Sequence, residues 1–203
     1  MSANIKNDKR ERLIDAAIEV FRDKGVQAAR VSDIVTKAGV AQGTFYLYFN
    51  SKDAVFGQIC EDFMLHYNNL FMRNADLLAK GGSKEEMIIN GKAFLKLLLQ
   101  SCQDNIAVAQ LLFGEGVGPG GPYQQTYEKV LNYIIDLIKE YIAIGIKKNI
   151  VDVEDPELAA VMIFGLFQRS MFYYLLIKKE KNPNLDELER KMSNFIIKGL
   201  SIQ

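Results

Sequence analysis

Apolar residues recur at three- and four-residue steps along almost the whole chain, and nowhere do they alternate with polar ones between hairpin turns. That period is helical, so the sequence predicts an all-α fold. The first stripe, Leu13, Ile14, Ala17, Ile18 and Phe21, predicts a helix over 7–24 that Gly25 ends. Two short helical pieces follow, 32–37 and 42–48, around Ala38-Gly39-Val40. Neither is stable alone at that length, so both must be packed. Ile34, Ala38, Val40, Phe45 and Tyr48 are placed to hold them at a steep angle. Gly39 falls where the turn needs a backbone without a Cβ. Ser51 suits the N-cap of a fourth helix, with Asp53 in its first turn. Its stripe, from Val55 through Ile59 and Phe63 to Phe71, carries it to about residue 78, roughly 40 Å at about 1.5 Å per residue.

The pattern beyond residue 80 is also helical. Ser83-x-x-Glu86 is a capping box that opens a fifth helix over 84–102, and Asp104 is expected to cap a sixth that ends at 113. Residues 114–122, GEGVGPGGP, hold five glycines and two prolines. They lack the preceding strand and the following Lys-Ser/Thr of a phosphate-cradling loop, so they read as a connector. A seventh helix spans 123–148. The eighth opens with Asp155-Pro156-Glu157, an N-cap, a proline at the first helical position and an acid in the first turn, and runs to about 179. The ninth, 185–200, has the stripe Leu185, Leu188, Met192, Phe195, Ile196 and Leu200.

Charge adds one feature to this picture. The 203-residue chain is neutral overall, but residues 1–52 hold nine Lys/Arg against six Asp/Glu, and the remainder carries the opposite imbalance. A basic head on an acidic body suits a nucleic-acid contact at one end. Cys60 and Cys102 stand in no metal-ligand spacing. Two cysteines in a chain this long fit a reducing compartment and buried small side chains. The polar N-terminus, MSANIKNDKRER, has no apolar core of a secretory signal. Residues 158–177 are nearly all apolar, but Gln168, Arg169 and Ser170 sit at their centre, which argues against a membrane span. A cytoplasmic location without membrane attachment is therefore expected.

The two short helices read as a helix-turn-helix over about 31–50, whose second helix enters the DNA major groove. Gln42 can pair bidentately with an adenine edge, and Thr44 can hydrogen-bond a base or pack its methyl on a thymine. Gly43 allows close backbone approach. Tyr46, Tyr48 and Lys52 on one flank, and Arg30 and Ser32 on the other, are candidates for phosphate. Arg10 and Arg12 are weaker candidates of the same kind. Phe45 and Phe49 belong to the core.

The stretch AGVAQGTFYLYFNSKDAVF resembles the head of the TetR-type (tetracycline-repressor-like) transcriptional regulators, whose pattern is approximately AGVSxGTxYxYFxSKExL. Ala38-Gly39-Val40, Gly43-Thr44, Tyr46, Tyr48-Phe49 and Ser51-Lys52 all match. The resemblance covers about 8–68 and implies a DNA-binding domain there, joined by the long helix to a ligand-binding and dimerisation domain over 69–203. It implies an all-helical homodimer on a palindromic operator, usually a repressor, released by a small effector and paired through its last two long helices. Three positions depart from the pattern: Ala41 stands where a capping Ser is usual, Val35 where Ala is usual, and Arg30 where Ser/Thr is common.

The body carries no such signature. An eighth helix that is apolar nearly all round needs cover on more than one side. One face would meet a partner subunit, together with the last helix: Phe172, Leu188, Met192, Phe195 and Ile196. Another would line a pocket for a small, mostly apolar effector, with Gln110, Phe113, Tyr127, Phe164, Phe167, Gln168 and Met171 as candidate walls. Gln168 and Arg169 need partners in an apolar helix, which an anionic effector, Glu115 or the facing subunit would supply. An enzyme is not expected: His66 is the one histidine, and no nucleophile–base pair, metal spacing or cofactor motif is present. The alternative is an effector-independent regulator or an activator with the same head.

Overall fold

In the computed structural model the described residues, 2–79, 83–113, 124–178 and 183–200, are helical without a strand; the side chains of 2–7, 74–79, 113, 127, 175 and 176 fall outside the description. Their α-helices are α1 (Ser2–Lys24), α2 (Val31–Ala38), α3 (Gln42–Tyr46), α4 (Lys52–Ala79), α5 (Lys84–Asp104), α6 (Ile106–Phe113), α7 (Gln124–Lys147), α8 (Pro156–Phe172) and α9 (Leu185–Gly199). A π-helical turn, Tyr173–Ile177, extends α8. The chain divides into two units, Met1–Phe63 with Ala107–Glu128, and Met64–Ile106 with Lys129–Gln203. Residues 107–128 thus group with the N-terminal head, although the sequence pattern places them in the body.

In the first unit, α1 turns Leu13, Ala17 and Phe21 inward against α2, whose Ile34, Val35 and Ala38 are buried. Phe45 from α3 and Val55 and Phe56 from α4 complete this core, with Phe21 edge-on to Phe56. Gly39 ends α2 at φ +65°. Its N–H donates to Thr36 O and that of Val40 to Val35 O, the double bond of a Schellman turn. Val35, larger than the usual Ala, is accommodated and buried.

In the second unit, Met87 of α5, Ile142 of α7, Val151 and Ala160 of α8 form a buried cluster, with Leu200 and Ile138 packed against it. Gly145 permits this approach, because a Cβ there would stand 2.5 Å from Val151 Cγ2 and 2.6 Å from Met87 Cε. The caps expected from sequence are present. Ser83 and Glu86 exchange side-chain and backbone bonds, Asp155 Oδ1 accepts from Glu157 N and Leu158 N, and Ser51 Oγ accepts from Ala54 N. Asp104 differs: it is the last residue of α5 and accepts from Gln100, while Asn105 separates the helices. The connector 114–122, Glu115 and the helix breaks at Gly81-Gly82 and Asn182 lie outside the described residues.

Candidate DNA-binding site

A five-residue helix has almost no stability of its own, so α3 depends on what holds it. Phe45 is its buried anchor, with Phe49 5.9 Å away and Tyr46 edge-on at 5.4 Å. Beyond Tyr46 the chain keeps turning: Leu47 N donates to Thr44 O, and Tyr48 N and Phe49 N to Phe45 O. The recognition helix is therefore shorter than the expected 42–48, with a tightened last turn.

Gln42, Gly43 and Tyr46 are exposed, and Thr44 and Tyr48 are half-buried. Leu47, 76% exposed, stands one turn after Gly43 beside Tyr46, on the outward side with Gln42. Leu47 is not among the contact residues expected from sequence. Its signal was available: a large apolar side chain in a sequence position that no helical stripe claims. Arg30 and Ser32 are exposed at the N-terminus of α2, where unpaired N–H groups favour an anion. Arg30 is itself the N-cap residue, with no cap bond from its side chain. Asp33 closes that turn by accepting Arg30 N at 3.0 Å and Lys24 Nζ at 2.8 Å. The Lys24 hydrogen bond, then that of Arg30 N, hold the Asp33 carboxyl below its ordinary range.

Lys52 departs from expectation. Its Nζ donates to three backbone carbonyls of the α1–α2 connection, Val26 at 2.8 Å, Gln27 at 2.6 Å and Ala29 at 2.9 Å. An ammonium has three N–H donors, and all are engaged, so none is left for phosphate. Lys52 is a clamp on the head, not a phosphate contact. Arg12 does similar work: its Nη2 donates to Ala38 O, the last carbonyl of α2. Arg10 lies over the Phe49 ring, 5.6 Å from its centroid.

The other candidate sites are less gathered. Phe164, Phe167 and Met171 are buried in the second unit and Gln168 is half-buried there, whereas Gln110 belongs to the first unit. The Phe113 and Tyr127 side chains lie outside the described residues. Arg169 is exposed and stands over the Phe172 ring, 5.0 Å from its centroid. Leu188 and Met192 are corrected from the expected interface to the interior: α9 packs on α5 and buries them within the subunit. Phe195 is exposed, and Ile196 and Phe172 are half-buried. Leu158, Val161 and Met162 on α8 are exposed as well, a face the sequence reading did not single out.

Cys60 and Cys102 are buried, and burial pushes their thiols up to about 12 and about 11. Both stay protonated at neutral pH, which makes them poor nucleophiles and poor redox sensors. His66 Nε2 pairs with Ser101 Oγ at 2.7 Å. Among the described residues, no group of three or more His, Cys, Asp or Glu side chains is placed to hold a metal ion, and no helix is long and apolar enough to cross a membrane.

A short, outward-facing recognition helix on a clamped three-helix head defines a helix-turn-helix transcription factor. The family model described as bacterial regulatory proteins, tetR family, matches residues 13–59, and that described as AefR-like transcriptional repressor, C-terminal domain, matches 85–196. The chain belongs to the tetR family of bacterial regulatory proteins and is a DNA-binding transcriptional regulator. It is similar to the fatty acid metabolism regulator protein of Bacillus subtilis, 25% identical over 96% of this chain and 97% of that one. An uncharacterized HTH-type transcriptional regulator of the same organism, YvdT, is 55% identical over 58 residues, 29% of this chain and 30% of that regulator. Among solved structures, FadR from Bacillus subtilis in complex with stearoyl-CoA superposes with a TM-score of 0.75 at 21% identity, covering 94% of this chain and 98% of that one. FadR from Thermus thermophilus in complex with lauroyl-CoA gives 0.66 at 22% identity, covering 96% of each.

Proposed function

We propose that the protein represses transcription as a homodimer on a palindromic operator and is released by a small, mostly apolar effector, with long-chain fatty acyl-CoA the class to test first. The observation that carries the DNA reading is the exposed set Gln42, Gly43, Tyr46 and Leu47 on one side of the recognition helix. Gln42 reads an adenine edge, Thr44 a base from the half-buried edge of the helix, and Leu47 packs on a thymine methyl. Tyr46, Tyr48, Arg30 and Ser32 set the head on the backbone. Residues 8–68 form the DNA-binding domain, and 69–203 serve effector binding and pairing. The exposed apolar side chains Leu158 and Met162 of α8 and Phe195 of α9 form the pairing face, with Phe172 and Ile196 at its margin. The protein acts in the cytoplasm.

The effector class rests on the full-length similarity to a fatty acid metabolism regulator and on the acyl-CoA complexes of two proteins with this fold. Buried Phe164, Phe167 and Met171 give the body the apolar interior such a chain requires. An effector that favours one body conformation need supply only about 1–3 kcal/mol of coupling to change operator affinity several-fold or more. The test is binding to DNA from the region upstream of its own gene, at low salt, with and without lauroyl-CoA and stearoyl-CoA. Binding that weakens steeply with salt and is reversed by acyl-CoA is expected. No binding at low salt sinks the operator reading. Binding that no acyl-CoA reverses sinks the effector class.

A further inference from the structure

Gly165 stands near the middle of α8 in the second unit. A glycine inside a helix is less favourable than alanine unless another backbone must come close. Nothing in its own subunit does so: a Cβ built on Gly165 would meet no atom within 4 Å. One turn away on either side, Val161, Met162 and Arg169 are exposed, and Leu158 carries the same face a turn further. Two turns on, Phe172 is half-buried and Tyr173 exposed. Gly165 is thus a notch in the middle of an exposed, largely apolar helix face. Gly57 of α4 is equally open, but its exposed neighbours one turn away are Asp53, Ala54 and Glu61, so it marks no such face.

The helix is also polarised along its length. Glu154, Asp155 and Glu157 are exposed at its N-terminal end, and Arg169 and Lys178 are exposed toward and beyond its C-terminal end. A second copy of α8 laid antiparallel across Gly165 sets each end against its opposite, whereas a parallel copy would set like charges side by side. A two-fold axis at Gly165 brings each residue against the one equally far from the glycine on the other side. Tyr173 and Glu157 are both two turns from it, so Tyr173 meets Glu157 of the partner subunit. Arg169 lies about 6 Å along the helix from that carboxylate, at about 1.5 Å per residue, within the reach of its side chain. Glu157 Oε2 is 3.1 Å from Lys139 Nζ of its own subunit, and a carboxylate has a second oxygen to offer.

We propose that α8 pairs antiparallel with α8 of a second copy of this chain, that the two-fold axis passes at Gly165, where the two backbones come closest, and that Arg169 reaches Glu157 of the partner subunit. This rests on the homodimer reading above and goes further, because it fixes the register of the pair and gives Arg169 a partner. The distance between two packed helices is set by the side chains at their contact, and two glycines there allow the closest approach. Val161, Met162 and Phe172 flank the crossing and lose their exposure to it. A slip of one turn would put side chains where the glycines meet, so the notch and the charges at the two ends select the same register.

The test is cross-linking of the full chain to itself. Gly165→Cys places a thiol on the axis, and Leu158→Cys places one seven residues away. At about 1.5 Å per residue, the two copies of residue 158 in an antiparallel pair lie about 20 Å apart. That is far beyond the Cα separation of about 7 Å that a disulfide spans. Cys60 and Cys102 are buried and do not compete. Under mild oxidation Gly165→Cys should give a disulfide-linked dimer and Leu158→Cys should not. Gly165→Ala adds an atom that meets nothing in its own subunit, so helical content by circular dichroism should hold. Its dimer dissociation constant, read by analytical ultracentrifugation, should rise about ten-fold or more as the added methyl overpacks the crossing. If Leu158→Cys links as readily as Gly165→Cys, if Gly165→Cys stays unlinked in a protein that sediments as a dimer, or if Gly165→Ala pairs as tightly as the wild type, the proposal is overturned. If the wild type sediments as a monomer, the homodimer reading itself fails and takes the crossing with it.

Discussion

The head and the body fasten their helices in different ways. In the head, charged side chains end on backbone carbonyls: Lys52 on Val26, Gln27 and Ala29, and Arg12 on Ala38. Asp33 ties Arg30 N to Lys24. In the body, ring faces and aliphatic carbons make the contacts, in the series Phe71, Phe94 and Tyr141 and in the cluster around Met87 and Ile142. Its directional bonds are caps, exposed ion pairs such as Lys139 with Glu157, and side-chain pairs such as His66 with Ser101 and Tyr67 with Cys102, none of which ends on a carbonyl of another helix. The difference follows from helix length. α2 and α3 have eight and five residues and need outside support at each end, whereas α5 and α7 have 21 and 24 and sustain themselves. Hydrogen bonds are directional and fix one geometry. Apolar contact is non-directional, and repacking it costs less. A reader of DNA needs the first property, and a receptor for an apolar effector uses the second.

The largest expected effect tests the head's polar fastening. Lys52→Met removes three charge-assisted bonds and should cost about 2–3 kcal/mol of head stability. Operator affinity should fall with it, while the slope of log affinity against log salt stays unchanged. A phosphate contact would behave otherwise: losing it lowers that slope by about 0.9. A lowered slope with an unchanged melting temperature would return Lys52 to the DNA face.

The matching change in the body is Gly145→Ala. The added methyl meets Val151 and Met87 well inside contact distance. Overpacking of this kind costs about 1–3 kcal/mol, and the gain in helix propensity offsets part of it. A melting point lower by about 3–6 °C is expected, at about 2–4 °C per kcal/mol for a domain of this size. An unchanged melting point would mean that the Val151 turn yields freely, and the body would then be looser than its packing suggests. Gln42→Ala is the next step down. It should cost about 1–2 kcal/mol on the preferred operator and flatten the preference at one base pair per half-site, read by a substituted-operator series. A uniform loss across all base pairs would move Gln42 to the backbone.

What was legible in the sequence was local. Ser83 with Glu86, Asp155 with Pro156, and Gly39 at its left-handed turn announce themselves within a few residues, because capping chemistry acts over one helical turn. Long-range pairings were not legible. Lys52 reaches back 26 residues to Val26, and Arg12 reaches forward 26 to Ala38. Nothing in a basic residue's neighbours tells whether a carbonyl or a phosphate will receive it. The α9 stripe showed the same limit. Its period identified an apolar face, but not that Leu188 and Met192 turn to α5 of their own subunit while Phe195 remains outside. In sequence, Tyr141 falls at helical spacing with Ile134, Ile138 and Ile142, like any residue of an apolar stripe. That its oxygen lacks a partner is a property of the packing, visible only once Gly91 and Phe94 are placed around it.

The smallest effect concerns a helix end in the head that no side chain caps. Ala41 is the N-cap of α3, in extended conformation at φ −71° and ψ 150°, and provides no side-chain cap bond. That backbone is the one a capping serine adopts, so Ala41→Ser needs no rearrangement. Its oxygen would accept from an unpaired N–H of the first turn of α3. The gain should be about 0.5–1 kcal/mol, at the low end because Ala41 is exposed and water already serves those donors. The melting point should rise by about 1–4 °C. Operator affinity should rise by no more than a few-fold, since Phe45 already anchors the helix from inside. A serine that raises affinity ten-fold without raising stability would have found a phosphate, and residue 41 would join the contact set. A serine that changes neither would show that Phe45 alone fixes α3, and the head would then depend on apolar packing as the body does.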